Sequence, residues 1–290
     1  MSRRRTVLLV LAAAAALAAV TASEVSAGGA ASSSAASGSG VKLRQLAGVN
    51  FVSTCGFSHR AGDDPIVFPG FTGASHDHTF VGNTSTNAFS TLSTLRQAGT
   101  TCRRPNDTAG YWMPTLLVDG TPVVPIGATI YYRRHTLAAT QPFPAGLEIV
   151  AGNSHATAPQ DLRIVFWNCG VAGGGARSAT PPTCPNASAA GLRLHVSFPD
   201  CWNGKDLDSA DHHSHMAYSA KGLCPAGYPV PVPAITVIFR YPTTAGPGVT
   251  LSSGGQLTGH ADFFNAWNQT ALTSLVTSCL DALRHCGRGV

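Results

Sequence analysis

Residues 234–241 read AITVIFRY, and this stretch indicates the fold more clearly than any other part of the chain. β-branched and aromatic side chains fill it, and these residue types favour extended strands. Similar runs occur at 111–118, 129–133, 147–151, 163–168 and 193–198. Pro, Gly and Asn separate the runs, and the totals of 31 Gly and 19 Pro suit many tight loops. The sequence therefore predicts a mainly β fold, a single β-sandwich or jelly-roll-like domain with long loops and disulfides.

Two segments predict short helices beside this β-rich body. Residues 85–97 carry leucines at 92 and 95, and Gly99 follows as a C-terminal stop. Residues 267–283 place Ala271, Leu275, Cys279 and Leu283 on one helical stripe. We expect both helices to flank the sheets.

The start of the chain predicts export. Three arginines at 3–5 precede an apolar run at 7–20, and small residues suited to signal peptidase follow, so residues 1–27 are predicted to be a signal peptide. Residues 28–40 contain only Gly, Ala and Ser, which is typical of a flexible linker. Residues 41–290 are then predicted to form one secreted, extracellular domain. No later run approaches the roughly 18 apolar residues that a membrane span needs.

Cysteine usage agrees with export. The chain has eight cysteines, an even number, and all follow the linker. In an oxidising compartment this pattern predicts four structural disulfides, with near neighbours such as Cys169–Cys184 and Cys201–Cys224 as the expected pairs. No CxxC occurs, which argues against a cysteine-ligated metal. The eight positions are Cys55, Cys102, Cys169, Cys184, Cys201, Cys224, Cys279 and Cys286.

Charge excludes some classes of function. The net charge is +5, and the arginine doublets at 103–104 and 133–134 are not part of a basic stripe with interleaved aromatics, so no nucleic-acid partner is predicted. After the signal peptide, Glu148 is the only glutamate. A glycosidase that uses two glutamates is therefore excluded, and any carboxylate pair must include an aspartate.

Three short stretches repeat one arrangement, two acid–base side chains separated by a single residue. They read HDH at 76–78, HSH at 213–215 and HAD at 260–262, and they hold five of the 11 histidines. On a strand, residues i and i+2 point to the same face, so each stretch would present its two side chains together. If the three stretches meet, they form a site that can handle protons or a metal ion.

The surroundings of these stretches resemble a known family. It comprises secreted bacterial and fungal proteins catalogued as domain of unknown function 1996, whose fungal members often carry WSC carbohydrate-binding modules. Val81 and Ala266 stand where the family has Phe and Gly, and neither departure affects an ionisable group. The matching elements are HxHxFxGN at 76–83, YWxPTL at 111–116, FPxCW at 198–202, Leu207-Asp208, His212, SHxxY at 214–218 and HADF at 260–263. The resemblance implies a secreted, β-rich domain near cell-wall polysaccharide, and it assigns no reaction.

The first functional hypothesis is a hydrolase or lyase that acts on cell-wall or extracellular polysaccharide. Histidine can give or take a proton near neutral pH, so His78 or His215 is the predicted proton-transfer group. Asp208 or Asp262 is predicted to orient that imidazole or to act as the second carboxylate. The candidate catalytic residues are His76, His78, Asp208, His215, His260 and Asp262. Aromatic residues that could stack on sugar rings are Tyr111, Trp112, Trp202 and Tyr218.

Two alternatives stay open at this point. HxH on one strand face also binds zinc or another divalent metal, with His76, His78 and His260 as candidate ligands, and a metal-bound water would then hydrolyse the substrate. The second alternative is a non-catalytic carbohydrate-binding module in which the histidines are structural. Metal content, and activity on polysaccharides with and without chelator, would separate these hypotheses.

Overall fold

The computed structural model describes residues 40–170, 175–186 and 191–288. The predicted signal peptide, and the predicted linker up to residue 39, lie outside the described residues. The strands are β1 (Asn50–Cys55), β2 (Phe57–Ala61), β3 (His78–Gly82), β4 (Gly110–Pro114), β5 (Leu116–Val118), β6 (Thr121–Pro122), β7 (Gly127–Arg133), β8 (Glu148–Gly152), β9 (Val165–Cys169), β10 (Leu192–Ser197), β11 (Cys201–Trp202), β12 (Met216–Ala217), β13 (Val230–Pro231), β14 (Ala234–Arg240), β15 (Val249–Leu251), β16 (His260–Phe264) and β17 (His285–Gly287).

Two large sheets organise these strands. One has six strands in the order β17-β1-β7-β14-β10-β9, and the other has five in the order β2-β3-β4-β16-β8. Neighbours pair antiparallel, except that β17 runs parallel to β1. Two small three-stranded sheets, β12-β11-β13 and β15-β5-β6, complete the described part of the chain.

The two large sheets share one hydrophobic core, which makes the fold a β-sandwich and confirms the predicted class. Alternate residues of β7 and β14, such as Ile130 and Val237, enter this core from the six-stranded sheet. Tyr111, Ile149 and Phe263 enter it from the five-stranded sheet. Because side chains alternate between faces, the remaining residues of each strand form the outer faces of the sandwich.

The outer face of the five-stranded sheet is also covered. Phe80, Trp112, Val150 and Phe264 form a second, smaller apolar cluster there, together with Ile66 from the preceding loop. His78 of β3 and the pair His260 and Asp262 of β16 lie on this same face. They are therefore held away from the main core but under a layer of loops.

The helices differ in length from those predicted. The first, α1, spans Leu92–Gln97 and begins after the N-cap Thr91, so the prediction of a helix over 85–97 is wrong for its first half. Side chains of Asn83 and Asn87 accept backbone N–H groups of Ser85 and Phe89 there, and such local bonds compete with helix formation. The second, α2, spans Gln269–Leu275 and continues as a π-helix over Val276–Asp281, which confirms the second predicted helix in its main part. A 3₁₀-helix spans Leu43–Leu46.

All eight cysteines form disulfides, as predicted. The expected pairs Cys169–Cys184 and Cys201–Cys224 are present, and the others are Cys55–Cys102 and Cys279–Cys286. Four disulfides are consistent with an oxidising, extracellular environment. None of the helices within the described ranges has the length and apolar character needed to span a bilayer.

Candidate functional site

The site begins with the placement of His78 and His260 on either side of one strand. Each is the first residue of its strand. Both strands pair antiparallel with β4, so β3 and β16 begin at the same end of the sheet. His78 pairs with Pro114, and Asp262 pairs with Trp112. This register places the two imidazoles in one row on the outer face, although the residues are far apart in sequence.

Three imidazoles converge at this end of the sheet. His76 precedes β3, and its Nε2 lies 3.1 Å from Nε2 of His260. The ring centroids of His76 and His78 are 4.2 Å apart, and those of His78 and His260 are 5.8 Å apart. One ring nitrogen from each of the three lies within 4.8 Å of the others. Two nitrogens bound to one zinc at about 2.05 Å would be about 3.3 Å apart in tetrahedral geometry, so the spacing fits a shared metal ion.

Backbone carbonyls orient the two buried imidazole rings, those of His78 and His260. Nδ1 of His78 lies 3.0 Å from the carbonyl oxygen of Asp63, and Nδ1 of His260 lies 2.8 Å from that of Thr258. A carbonyl only accepts, so each Nδ1 is the protonated nitrogen and each Nε2 keeps a free lone pair. This is the arrangement in which histidine ligates a metal while its other nitrogen is fixed by a hydrogen bond.

Burial keeps all three imidazoles neutral at ordinary pH. It is the largest cause that lowers the pKa of His76 to about 4 and that of His260 to about 3, and it lowers the pKa of His78 well below its usual value. Mutual repulsion adds to burial, because His76 and His260 both lower the pKa of His78. The neutral form is the one that binds a metal.

Two carboxylates lie beside the imidazoles. One oxygen each of Asp64 and Asp262 lies within 4.8 Å of the other and of a ring nitrogen of His78. Both oxygens of Asp262 are buried without a hydrogen-bond partner, as is Nε2 of His78. Burial, followed by the nearby charge of Asp64, raises the pKa of Asp262 well above its usual value. A buried polar group of this kind is costly unless it holds a proton or an ion.

A second group of ionisable side chains borders the same cavity. His212 lines the cavity, and its Nδ1 lies 2.9 Å from Oδ2 of Asp208. The backbone of His212 has φ +58, a left-handed conformation that non-glycine residues adopt rarely and often at functional sites. Glu148 lies nearby, and its pKa is raised to about 8 by burial, followed by the charges of Asp208 and Asp64. A His–Asp pair therefore stands at the edge of the histidine cluster.

The HSH stretch does not behave as predicted. Its residues are in a turn rather than a strand, so the two imidazoles do not share a face. His215 is fully buried, and its ring nitrogens lie 2.9 Å from Oγ of Ser209 and 2.7 Å from the carbonyl oxygen of Glu148. His215 thus attaches the loop to β8 and does not line the cavity, which argues against its predicted role in proton transfer. His213 does line the cavity.

The four predicted sugar-stacking residues differ in how far they are buried. Tyr111 and Trp112 are fully buried, so neither can offer a ring face to a sugar, contrary to expectation. They lie on opposite faces of β4, and both faces of this strand are covered. Trp202 is partly buried and donates its indole N–H to the carbonyl of Asp206. Tyr218 is 40% exposed, which makes it the most exposed of the four residues.

The cavity over the cluster has a volume of about 550 Å³. His76, His260 and Asp262 form its floor, and Phe68, Asn153 and His155 line its walls. A smaller cavity of about 240 Å³ shares Val150, Gly152, Asn153 and His213 with it and extends to Tyr218. The histidine cluster is therefore accessible from outside along an extended depression.

Sequence reasoning missed three residues near the site, Asp64, His212 and Glu148. Each carried a weak signal: Asp64 belongs to a doublet of aspartates, His212 adjoins the HSH stretch, and Glu148 is the only glutamate after residue 24. None forms an i, i+2 pair, so the pattern that located the cluster could not include them.

No curated protein and no solved structure matches the chain. A family match covers residues 64–267 and includes every residue of the cluster described above. The match spans more than half of the 290 residues, from Asp64 beside the cluster to Trp267. The chain belongs to the family described as Domain of unknown function (DUF1996).

Proposed function

We propose that this protein is a secreted, metal-dependent hydrolase of extracellular polysaccharide, with His76, His78 and His260 as the ligands of one divalent transition-metal ion. The observation that carries the proposal is the convergence of three neutral imidazoles whose ring nitrogens lie within 4.8 Å of one another. Imidazole ligands suit zinc, copper, iron and nickel, and a three-histidine site leaves a coordination position open for water or substrate.

Two contacts favour a metal over proton transfer by the same histidines. The protonated Nδ1 atoms of His78 and His260 are held by backbone carbonyls, so these nitrogens cannot exchange protons with a substrate. Nε2 of His78 and both oxygens of the neighbouring Asp262 are buried without a hydrogen-bond partner. A cation held by several of these acceptors would satisfy them together, whereas a substrate hydroxyl would satisfy one.

In this proposal the metal ion and the side chains have separate roles in hydrolysis. A bound divalent metal lowers the pKa of its water and polarises the bond to be cleaved. Asp262 and Asp64 lie where they can complete the ligand set or hydrogen-bond that water. His212, oriented by Asp208, is exposed to the cavity and is the group that we assign to proton transfer.

The walls of the cavity support a carbohydrate substrate. Phe68 is 38% exposed where it lines the cavity, and Tyr218 is 40% exposed at the end of the adjoining one. Exposed aromatic rings in a depression can stack on sugar rings. Asn153 lines both cavities and can supply an amide group for sugar hydroxyls. An extended depression of this kind suits a chain of sugars better than a single small molecule.

The test compares metal content and polysaccharide cleavage in the wild type and two variants. The wild type should hold about one equivalent of metal and lose cleavage when a chelator removes it. His78→Ala should lose both metal and cleavage. His155→Ala, which removes an exposed imidazole from the cavity wall, should retain the metal.

Two outcomes would contradict the proposal. Metal-free protein that still cleaves glycans would instead support proton transfer by histidine and aspartate alone. Protein that binds glycans but cleaves none, with or without metal and with unchanged affinity in His78→Ala, would support a binding module.

A further inference from the structure

A cluster of arginines lies at one end of the six-stranded sheet, whereas the histidine cluster lies on the five-stranded sheet. Arg240 is the last residue of β14, and its cross-strand neighbour on β10 is Arg193. Like charges that face each other across an antiparallel pair destabilise the sheet. This register brings two guanidinium groups together at this end of the sheet.

A cavity of about 270 Å³ opens beside this pair. Its lining includes three arginines, Arg103, Arg240 and Arg288, and the hydroxyl-bearing residues Thr54 and Thr101. No aspartate or glutamate is among the described residues that line it. Arg103 and Arg288 are exposed at the rim, and Arg240 is partly buried at the wall.

The guanidinium of Arg240 is incompletely satisfied. Its Nε is buried and has no hydrogen-bond partner among the described residues. Burial lowers the pKa of Arg240, and the charges of Arg193, Arg288 and Arg103 lower it further. The charged groups that lower the pKa of Arg240 are thus all arginines.

We propose that this cavity binds a tetrahedral oxyanion, phosphate or sulfate, through Arg103, Arg240 and Arg288. Guanidinium groups match the oxygens of such anions with paired N–H donors, and a doubly charged anion offsets the repulsion between the arginines. The hydroxyl of Thr54, which also lines the cavity, can donate to a remaining oxygen. The anion is either a free ion or a phosphate or sulfate group carried by an extracellular polymer.

A polyatomic oxyanion fits this cavity better than chloride, because its several oxygens can contact the guanidinium groups of Arg103, Arg240 and Arg288 together, whereas chloride is a single acceptor. This site is independent of the proposed metal centre, because it uses none of the same residues and lies on a different sheet.

The test measures binding of inorganic phosphate and of a polyphosphate chain by calorimetry, at an ionic strength held constant with sodium chloride. Arg240→Gln should raise the dissociation constant at least tenfold, and Arg103→Ala, at an exposed position that tolerates substitution, should also weaken binding. Arg163→Ala is the control, because Arg163 is exposed and paired with Asp161 in another part of the molecule. It should bind as the wild type does.

A second measurement is the melting temperature. Phosphate should raise the melting temperature of the wild type, because it binds the folded state, and Arg240→Gln should lack this increase. Binding of phosphate supports a free ion, and binding of polyphosphate alone supports a polymer-borne group. No binding of either by the wild type, or equal binding by Arg240→Gln, Arg103→Ala and the wild type, would overturn the proposal.

Discussion

Nε2 of His76 lies 3.1 Å from Nε2 of His260, although 184 positions separate the two residues in the chain. Two imidazole nitrogens at this distance either share a proton or share a metal ion. Nδ1 of His260 already donates to a backbone carbonyl, so its Nε2 can only accept. With the free Nε2 of His78 in the same cluster, the pair is better explained as two ligands of one ion.

The first prediction concerns Asp262. Asp262→Asn should lower metal affinity at least tenfold, the scale of effects seen when groups next to a metal are altered. The metal-free variant should be no less stable than the metal-free wild type, because the substitution removes a buried carboxylate that lacks hydrogen-bond donors. Metal titration and thermal unfolding of both forms measure the two effects.

The control for that variant is Asp77→Asn. Asp77 lies between His76 and His78, but its side chain is 35% exposed and is paired with Arg60 at 2.8 Å. Its substitution should leave metal affinity unchanged. If both variants bind metal equally well, Asp262 has no part in the site.

The second prediction separates proton transfer from metal binding. His212→Ala should lower kcat by a factor of about 10² to 10⁴, the usual contribution of a general acid or base, with metal content unchanged. Asp208→Asn should lower kcat in the same direction, because Asp208 orients the ring through the 2.9 Å contact with Nδ1. A large increase in KM at constant kcat would show instead that His212 binds substrate.

The third prediction concerns pH and the buried carboxyl of Asp107. Burial raises its pKa to about 7, opposed by hydrogen bonds from Ser53 and Tyr111. The folded protein therefore holds this proton more tightly than the unfolded chain, whose aspartates have a pKa near 3.8. The stabilisation from Asp107 is present at pH 4 and is lost as the pH rises to 7, by on the order of 4 kcal/mol.

Denaturant unfolding of the wild type and of Asp107→Asn at several pH values between 4 and 7 checks this prediction. The asparagine variant does not titrate, so the difference in the free energy of unfolding between the two proteins should shift against the wild type as the pH rises. A difference that stays constant over this range would contradict it.

The fourth prediction ranks two disulfides. Cys55–Cys102 closes a separation of 47 residues, whereas Cys279–Cys286 closes only seven. In the chain-entropy account, replacing the first pair by alanine costs about 4 kcal/mol of stability and replacing the second about 2 kcal/mol. Unfolding of the two double variants under oxidising conditions measures the difference, and an equal or reversed ranking would contradict the entropic explanation.

Part of the site could be predicted because strand alternation is local. HAD lies on β16, so His260 and Asp262 share one face, and His78, the first residue of β3, lies on the same outer face of the sheet. That β3 and β16 flank β4 depends on pairing between distant segments, which the sequence does not reveal.

The errors also have physical reasons. Oδ1 of Asp211 accepts the backbone N–H groups of His213 and Ser214, and this local bonding turns the HSH stretch away from a strand. Trp112 is buried because β4 is an inner strand with apolar layers on both faces, a property of the sheet order and not of the strand itself. The mainly β class and two of the four disulfide pairs followed from composition and spacing, which required no long-range information.

The most direct test of the metal centre is a crystal structure of the protein soaked with zinc, with data collected at the zinc absorption edge. We predict one anomalous peak at about 2.0–2.1 Å from a ring nitrogen of each of His76, His78 and His260, and no such peak in crystals of His78→Ala. Anomalous density elsewhere, or none at the three histidines of the wild type, would contradict the account.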